Sequence, residues 1–315
     1  MRKQGKAVPD VIEAEDDACG RMDIPRIDVV LHETLGTLQQ RSESSDGISG
    51  LSTGYAQFDE MTAGLQPADL IIVGGRPAMG KTTLALNIVE HVAIRTGVPV
   101  AVFSMGVSAP QLAMRLISSL GRVSATRLRT GRLEGEDWGR VTTSIKTLRD
   151  ARIFIDDTPT LLPETLRSKA RQLKREHGLG LVVIDYLQLM QVPGMGENRA
   201  AELSDVSRSI KAMARELSVP VIALSQLNRS LEARADKRPV MADLRGSGAL
   251  ENDADVIVFI YRDDYYNREN SPDKGLAEVI IGKQRNGPTG SVKLRFFGEY
   301  ARFENLSDDP VGVFK

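Results

Sequence analysis

Gly75-Arg76-Pro77-Ala78-Met79-Gly80-Lys81-Thr82 is the stretch on which the reading of this chain turns. Its spacing is that of a glycine-rich loop whose backbone N–H groups converge on phosphate, closed by a lysine and a hydroxyl residue. The flanks agree with that use. Leu70-Ile-Ile-Val73 before it is a short apolar run of strand type, and Thr82 to Arg95 after it has helical character. A phosphate loop needs that strand-loop-helix setting, because the strand fixes the turn and the helix N-terminus faces the anion. Lys81 is then placed to neutralise β- and γ-phosphate oxygens and the Thr82 hydroxyl to ligate magnesium. The spacing predicts an ATP-binding loop formed by Gly75, Arg76, Pro77, Ala78, Met79, Gly80, Lys81, Thr82 and Thr83, with ATP and Mg2+ as cofactors.

Outward from the loop the pattern repeats. Val100-Ala-Val-Phe103, Ile153-Phe-Ile155, Leu181-Val-Val-Ile184, Val221-Ile-Ala-Leu224 and Val256-Ile-Val-Phe-Ile260 are further apolar runs separated by helical stretches such as Leu166 to His177. Near-continuous β-branched runs of this length describe strands buried on both faces, which makes the fold class α/β with a mostly parallel central sheet. Ala277 to Gly282 and Ser291 to Phe297, joined by a glycine- and proline-containing loop, predict an antiparallel hairpin at the sheet edge. Asp185 ends its run at the carboxyl edge of a strand, where open α/β sheets bind ligands, and is the expected second magnesium partner. Gln226, just past Leu224, is placed to sense the γ-phosphate and report it to the segment that follows.

The rest of the composition narrows the class by exclusion. Of 315 residues 41% are hydrophobic and 26% charged, an ordinary globular composition that predicts one large domain with appendages. Cys19 is single, and His32, His91 and His177 lie far apart, so neither an internal disulfide nor a zinc-ligand spacing exists. No apolar run approaches the roughly 18 residues of a membrane span, and the amino terminus is too acidic for a signal peptide; a cytoplasmic protein without a membrane partner is expected. Lys and Arg number 41 against 42 Asp and Glu, a net charge of -1, so a nucleic-acid partner would have to be held by a local basic surface. Ile27, Val30, Leu31, Leu35 and Leu38 recur at helical spacing after Pro25, and the short amphipathic helix they describe must cover its apolar face, either on its own body or on a neighbouring subunit.

Several stretches together resemble the ATPase domain of bacterial DnaB-type replicative helicases, which are RecA-like P-loop NTPase motors. They are Thr53-Gly-Tyr55, Thr62-Ala-Gly-Leu-Gln-Pro67, Gly75 to Thr83, Ile184-Asp-Tyr-Leu-Gln-Leu189, Ala223-Leu-Ser-Gln-Leu-Asn-Arg229, Arg234-Ala-Asp-Lys-Arg-Pro239 and Ile281-Gly-Lys-Gln-Arg-Asn-Gly-Pro288, and the resemblance runs from Gly47 to Phe303. It implies a homo-oligomer, in the family a hexameric ring, that translocates 5′–3′ on single-stranded DNA. It implies also that Lys283 and Arg285 act in trans on a neighbour's ATP, and that the helix Ile27 to Gln40 is a linker helix docked on an adjacent subunit. A helicase loader, primase or full-length helicase would be further partners. The organisation expected is an acidic tail over 1–26 without fixed structure of its own, a linker helix and flexible linker over 27–50, the ATPase domain over 51–306 and a tail over 307–315; the family's large amino-terminal helical domain is absent from it.

DNA is expected on the segment after Gln226. Between Asn228 and Gly248 the cations Arg229, Arg234, Lys237, Arg238 and Arg245 outnumber the carboxylates Glu232, Asp236 and Asp243. Arg245-Gly246-Ser-Gly248 is similar to the family loop that faces the channel, where backbone N–H groups hold phosphates without reading bases. Two departures stand out. Where the family carries a water-polarising glutamate after the second strand, this chain reads Ser104-Met-Gly106, with no carboxylate between Glu90 and Glu134; in the channel loop the family's glutamate is replaced by Gly246. ATP binding should survive both changes, while the first removes a group typically worth about 10²- to 10⁴-fold in rate. Two functions therefore follow: an ATP-hydrolysing helicase whose base comes from elsewhere, with Asp156 and Asp157 as the strand-end candidates, or a weakened ATP-binding relative that assembles on DNA or with an active helicase. A RecA-type recombination ATPase is disfavoured by the Arg234 to Pro239 and Lys283 to Pro288 stretches.

Overall fold

The apolar runs fold as strands because both of their faces find a hydrophobic partner. In the computed structural model, which describes residues 26–43, 47–191, 199–244 and 247–306, they form one nine-stranded sheet. Its strands are β1 (Leu70–Gly75), β2 (Val100–Ser104), β3 (Ile153–Asp156), β4 (Leu181–Asp185), β5 (Val221–Gln226), β6 (Val256–Tyr261), β7 (Leu276–Gln284), β8 (Gly290–Phe297) and β9 (Arg302–Asn305). The order is β3-β2-β4-β5-β1-β6-β7-β8-β9, parallel through β6 and antiparallel beyond it.

Ten α-helices accompany the sheet among the described residues. They are α1 (Ile27–Glu43), α2 (Ala56–Thr62), α3 (Lys81–His91), α4 (Ala109–Gly121), α5 (Ala125–Thr130), α6 (Gly135–Asp150), α7 (Pro163–His177), α8 (Arg199–Leu217), α9 (Ser247–Asp253) and α10 (Asp263–Asn267). Alternate strand residues feed two separate cores. Ile71, Val73, Val102, Val183 and Leu224 pack with α3 and α4, whereas Ile72, Phe103, Ile184, Ala223 and Phe259 pack with α7 and α8. The period of two along each strand thus sorts one apolar run into two layers of helix.

Three details depart from the expected pattern. The helix after the phosphate loop ends at His91 and continues as a π-helical turn, Val92–Thr96, closed by Gly97 at φ +68°. The edge hairpin is longer than its apolar alternation indicated and gains a third strand, β9. The amino-terminal helix runs to Glu43 instead of ending at Gln40. It belongs to a unit of its own, residues 1–45, and its Ile27, Leu31, Leu35 and Leu38 are exposed. The expected tails at 1–25 and 307–315, and Arg245 and Gly246 of the channel loop, lie outside the described residues.

Candidate active site

β1 is buried at every residue and delivers the phosphate loop at its carboxyl end. Gly80 sits at φ +103°, and a Cβ there would meet Phe303 Cζ at 2.7 Å, so only glycine lets the loop turn into α3. Lys81 Nζ donates to the carbonyls of Gly75 (2.7 Å) and Arg76 (3.1 Å), bridging the loop it serves. Burial pushes its ammonium down to about 8, with nearby Asp185 opposing and Arg76 reinforcing the shift. An anion in the loop would restore the charged form that burial disfavours.

Asp185 closes the other side. Its carboxylate accepts from Thr82 Oγ1 at 2.7 Å although the two residues are 103 apart in sequence. Desolvation raises the Asp185 pKa, against the Thr82 hydrogen bond and the charges of Lys81 and Arg115. A hydroxyl and a carboxylate brought together beside a phosphate loop form an all-oxygen donor set that suits magnesium, which takes few protein ligands and completes its shell with phosphate and water. Gln226 pairs in register with Gly75 across β5 and β1, and its backbone N–H donates to Gln188 Oε1 at 3.3 Å. Thus Lys81, Thr82, Asp185 and Gln226, chosen from three separate sequence stretches, come to one edge of the sheet.

Position 106 faces the same edge. Ser104 pairs with Asp185 in register, and Met105 N donates to Asp185 O at 2.8 Å. Gly106 is exposed, and a Cβ added there would meet Leu189 Cδ1 at 3.4 Å and Tyr186 Cε1 at 3.5 Å, which is ordinary contact. The strand-end alternatives stand elsewhere. β3 is the outermost strand, two strand spacings or about 10 Å beyond β4. Asp156 is bound to Lys169 Nζ at 2.5 Å and to Thr158, and its pKa is lowered, these bonds outweighing the upward push of desolvation. Asp157 accepts from the Ala109 N–H at 2.8 Å, at the start of α4.

Lys283 and Arg285 occupy the opposite end of the sheet. Arg285 N donates to Asp255 O and Asp255 N to Leu70 O, so these two cations sit level with the amino end of β1. From Leu70 to the loop at Gly75 the chain rises about 17 Å, beyond the reach of either side chain. Lys283 Nζ instead donates to the carbonyls of Glu251 and Ala254, and Arg285 Nη2 to that of Asn252 at 2.6 Å, around the end of α9. Burial, followed by the Arg285 charge, lowers the Lys283 pKa.

Among the expected DNA contacts, several cations already have partners. Arg238 makes two hydrogen bonds to Glu278, at 2.9 and 2.8 Å, which raise its pKa, and lies over the Tyr261 ring. Arg234 pairs with Asp243 at 2.9 Å, and Lys237 lies 5.2 Å from the centre of the Tyr266 ring. Arg229 and Gly248 are exposed. One contact escapes the sequence entirely: Arg76, taken there as part of the ATP loop, turns its side chain away from the loop to Glu232 (2.7 Å) and to Leu227 O (3.0 Å). The phosphate-loop spacing constrains backbone, and nothing in it marks the direction of that side chain.

A phosphate loop on β1, a carboxylate on β4 two strands away and a glutamine at the end of the strand between them define a P-loop NTPase of the RecA-like class. Residues 50–305 match the family described as DnaB-like helicase C terminal domain, and this chain belongs to that family. It is 52% identical over 284 residues to the replicative DNA helicase DnaB of Pasteurella multocida, covering 89% of this chain and 61% of that protein. Against the DnaB of Geobacillus stearothermophilus it is 52% identical over 278 residues, covering 88% and 61% respectively. The chain therefore spans about three-fifths of the curated relatives it matches. Among solved structures it is similar to one described as an ATPase domain, with TM-score 0.83 and 41% identity over 88% of this chain and 99% of that one. It is similar also to a DnaB-like replicative helicase described with its interactions with primase, with TM-score 0.81 and 40% identity over 93% and 69%.

Proposed function

We propose that this chain is the ATP-driven motor of a replicative DNA helicase, assembled as a homo-oligomer, in the family's form a hexamer, that moves 5′–3′ along single-stranded DNA. The observation that carries the reading is the 2.7 Å contact between Thr82 and Asp185, which joins phosphate loop and acidic strand end into one site. Lys81 and the loop N–H groups from Gly75 to Thr83 bind the β- and γ-phosphates, and Thr82 and Asp185 would hold magnesium. The ion, when bound, supplies Lewis-acid polarisation of the phosphate oxygens. Gln226 senses the γ-phosphate, and Lys283 and Arg285 complete a neighbour's site. Arg229, Arg234, Lys237, Arg238 and the loop Arg245, Gly246 and Gly248 hold the DNA backbone. A loader, a primase or a full-length helicase are the further partners, in the cytoplasm; no helix among the described residues is long and apolar enough to cross a membrane.

Calorimetry tests the nucleotide reading. ATP with magnesium is expected to bind the parent, Lys81→Ala to abolish binding and Gly106→Glu to leave it nearly unchanged. Absence of heat for a folded parent would remove the ATP assignment. Assembly is tested at α1, whose exposed apolar face is the proposed contact with an adjacent copy. Leu31→Asp combined with Leu35→Asp should lower the oligomer mass in light scattering and leave the sheet's unfolding transition in place. An unchanged mass would put that helix on its own chain.

A second reading has its own observation. Gly106 offers no side chain beside Asp185 where the family has a glutamate, which favours a weakened ATP-binding relative that regulates or co-assembles with a helicase.

A further inference from the structure

Arg76 is the one cation in the phosphate loop besides Lys81, and its side chain is 7% exposed. A guanidinium so far removed from water needs partners, and it finds them on one short stretch of chain, 227–232. Nε and Nη2 reach Glu232 Oε1 at 2.8 and 2.7 Å, and Nη1 donates to Leu227 O at 3.0 Å. Both acceptors lie directly after Gln226, in the stretch that continues into the basic segment.

That stretch is itself tied together. Glu232 rides on a 3-10 turn, Arg229–Ala233, anchored by the buried Leu231. Leu227 bridges Leu244, Asn228 N donates to Asp243 O at 2.8 Å, and Arg234 pairs with Asp243. A displacement of Leu227 and Glu232 is therefore handed to Asp243 and Leu244, the residues that precede Arg245. The same residue is tied to the lysine of the loop, since Lys81 Nζ donates to the Arg76 carbonyl at 3.1 Å. A movement of the loop on phosphate binding is then carried through Arg76 to Glu232 and Leu227.

We propose that the Arg76–Glu232 ion pair links the phosphate loop to the DNA-holding segment, so that nucleotide and DNA affinities depend on each other through it. Arg76 and Glu232 are positioning residues in this scheme. It rests on the reading of the site as an ATP- and DNA-binding motor, and goes beyond it by naming the contact that carries the coupling.

The experiment measures the affinity of fluorescein-labelled oligothymidylate by anisotropy, with and without adenylyl imidodiphosphate and magnesium, for the full chain. In the parent the two dissociation constants should differ by about fivefold or more, a usual size for coupled sites. Reciprocity requires that DNA change the affinity for nucleotide by the same factor. Glu232→Ala should bring both ratios within about twofold of unity while each ligand still binds alone. Glu232→Gln, which keeps a hydrogen-bond acceptor but no charge, should fall between and serves if the alanine variant does not fold. A merely structural role would weaken both affinities and preserve the ratio, and that result, or a parent ratio of unity, overturns the linkage. Failure of the parent to bind either ligand overturns the motor reading itself, so the two are told apart.

Discussion

On the weakened-relative reading, Gly106→Glu is expected to raise single-stranded-DNA-stimulated ATP hydrolysis by about 100-fold or more, the usual worth of a positioned base or water-orienting group. The site is prepared for it. Phosphate loop, Thr82–Asp185 contact and Gln226 register are all in place, and the nearest neighbours of a Cβ at position 106, Leu189 and Tyr186, lie at van der Waals distance. The added carboxylate therefore costs little packing, at the same strand-end edge as Asp185. A protein with another base would gain nothing and would lose rate through like-charge crowding against Asp185. Steady-state turnover of parent and variant decides. A parent already turning over at about 1 to 10 per second, unchanged by the glutamate, would end the weakened-relative reading and move attention to Asp156→Asn and Asp157→Asn. Those two carboxylates are committed to Lys169 and to the start of α4, so a base at either would first have to leave its partner.

Arg285→Ala, placed in the Gly106→Glu background so that turnover is measurable, should lower hydrolysis by about 10³-fold or more while leaving ATP binding intact. Arginine fingers are worth that much because they meet charge that develops in the transition state. Register separates the two: Arg285 lies at the amino end of β1 and the phosphate loop at its carboxyl end, so the cation is out of reach of its own chain's loop. Mixing Lys81→Ala chains with Arg285→Ala chains then restores activity to about a quarter of the background level, the fraction of random interfaces that pair an intact loop with an intact finger. No gain on mixing, in preparations shown to exchange subunits, would count against the shared site.

Much of this arrangement is legible in the sequence because it rests on local chemistry. Runs such as Leu181 to Ile184 announce buried strands, and a loop with its glycines, lysine and threonine in fixed order announces phosphate. Asp185 is readable because it ends a strand, and strand ends converge. Pairings that depend on distant segments are not readable. Glu278 claims Arg238 from 40 residues away, and Glu232 claims Arg76 from 156 residues away; neither spacing leaves a periodic trace. β9 is missed for a different reason, since Arg302-Phe-Glu-Asn305 has a single apolar residue and acquires its conformation from β8. The π-helical turn after His91, Val92–Thr96, contains no glycine or proline that would mark it in the sequence.

The length of β1 has one more consequence. It holds finger and loop at opposite rims of the sheet, so a contact that joins them sets the amino rim of one copy against the carboxyl rim of the next. Such an interface is heterologous: each copy offers a different surface to each neighbour. On the proposed trans arrangement, an open row of copies ends with one unserved loop and one idle cation pair, and only closure of the row gives every nucleotide its cation. Under the proposed shared site, hydrolysis per chain should climb with protein concentration and level off once the row closes.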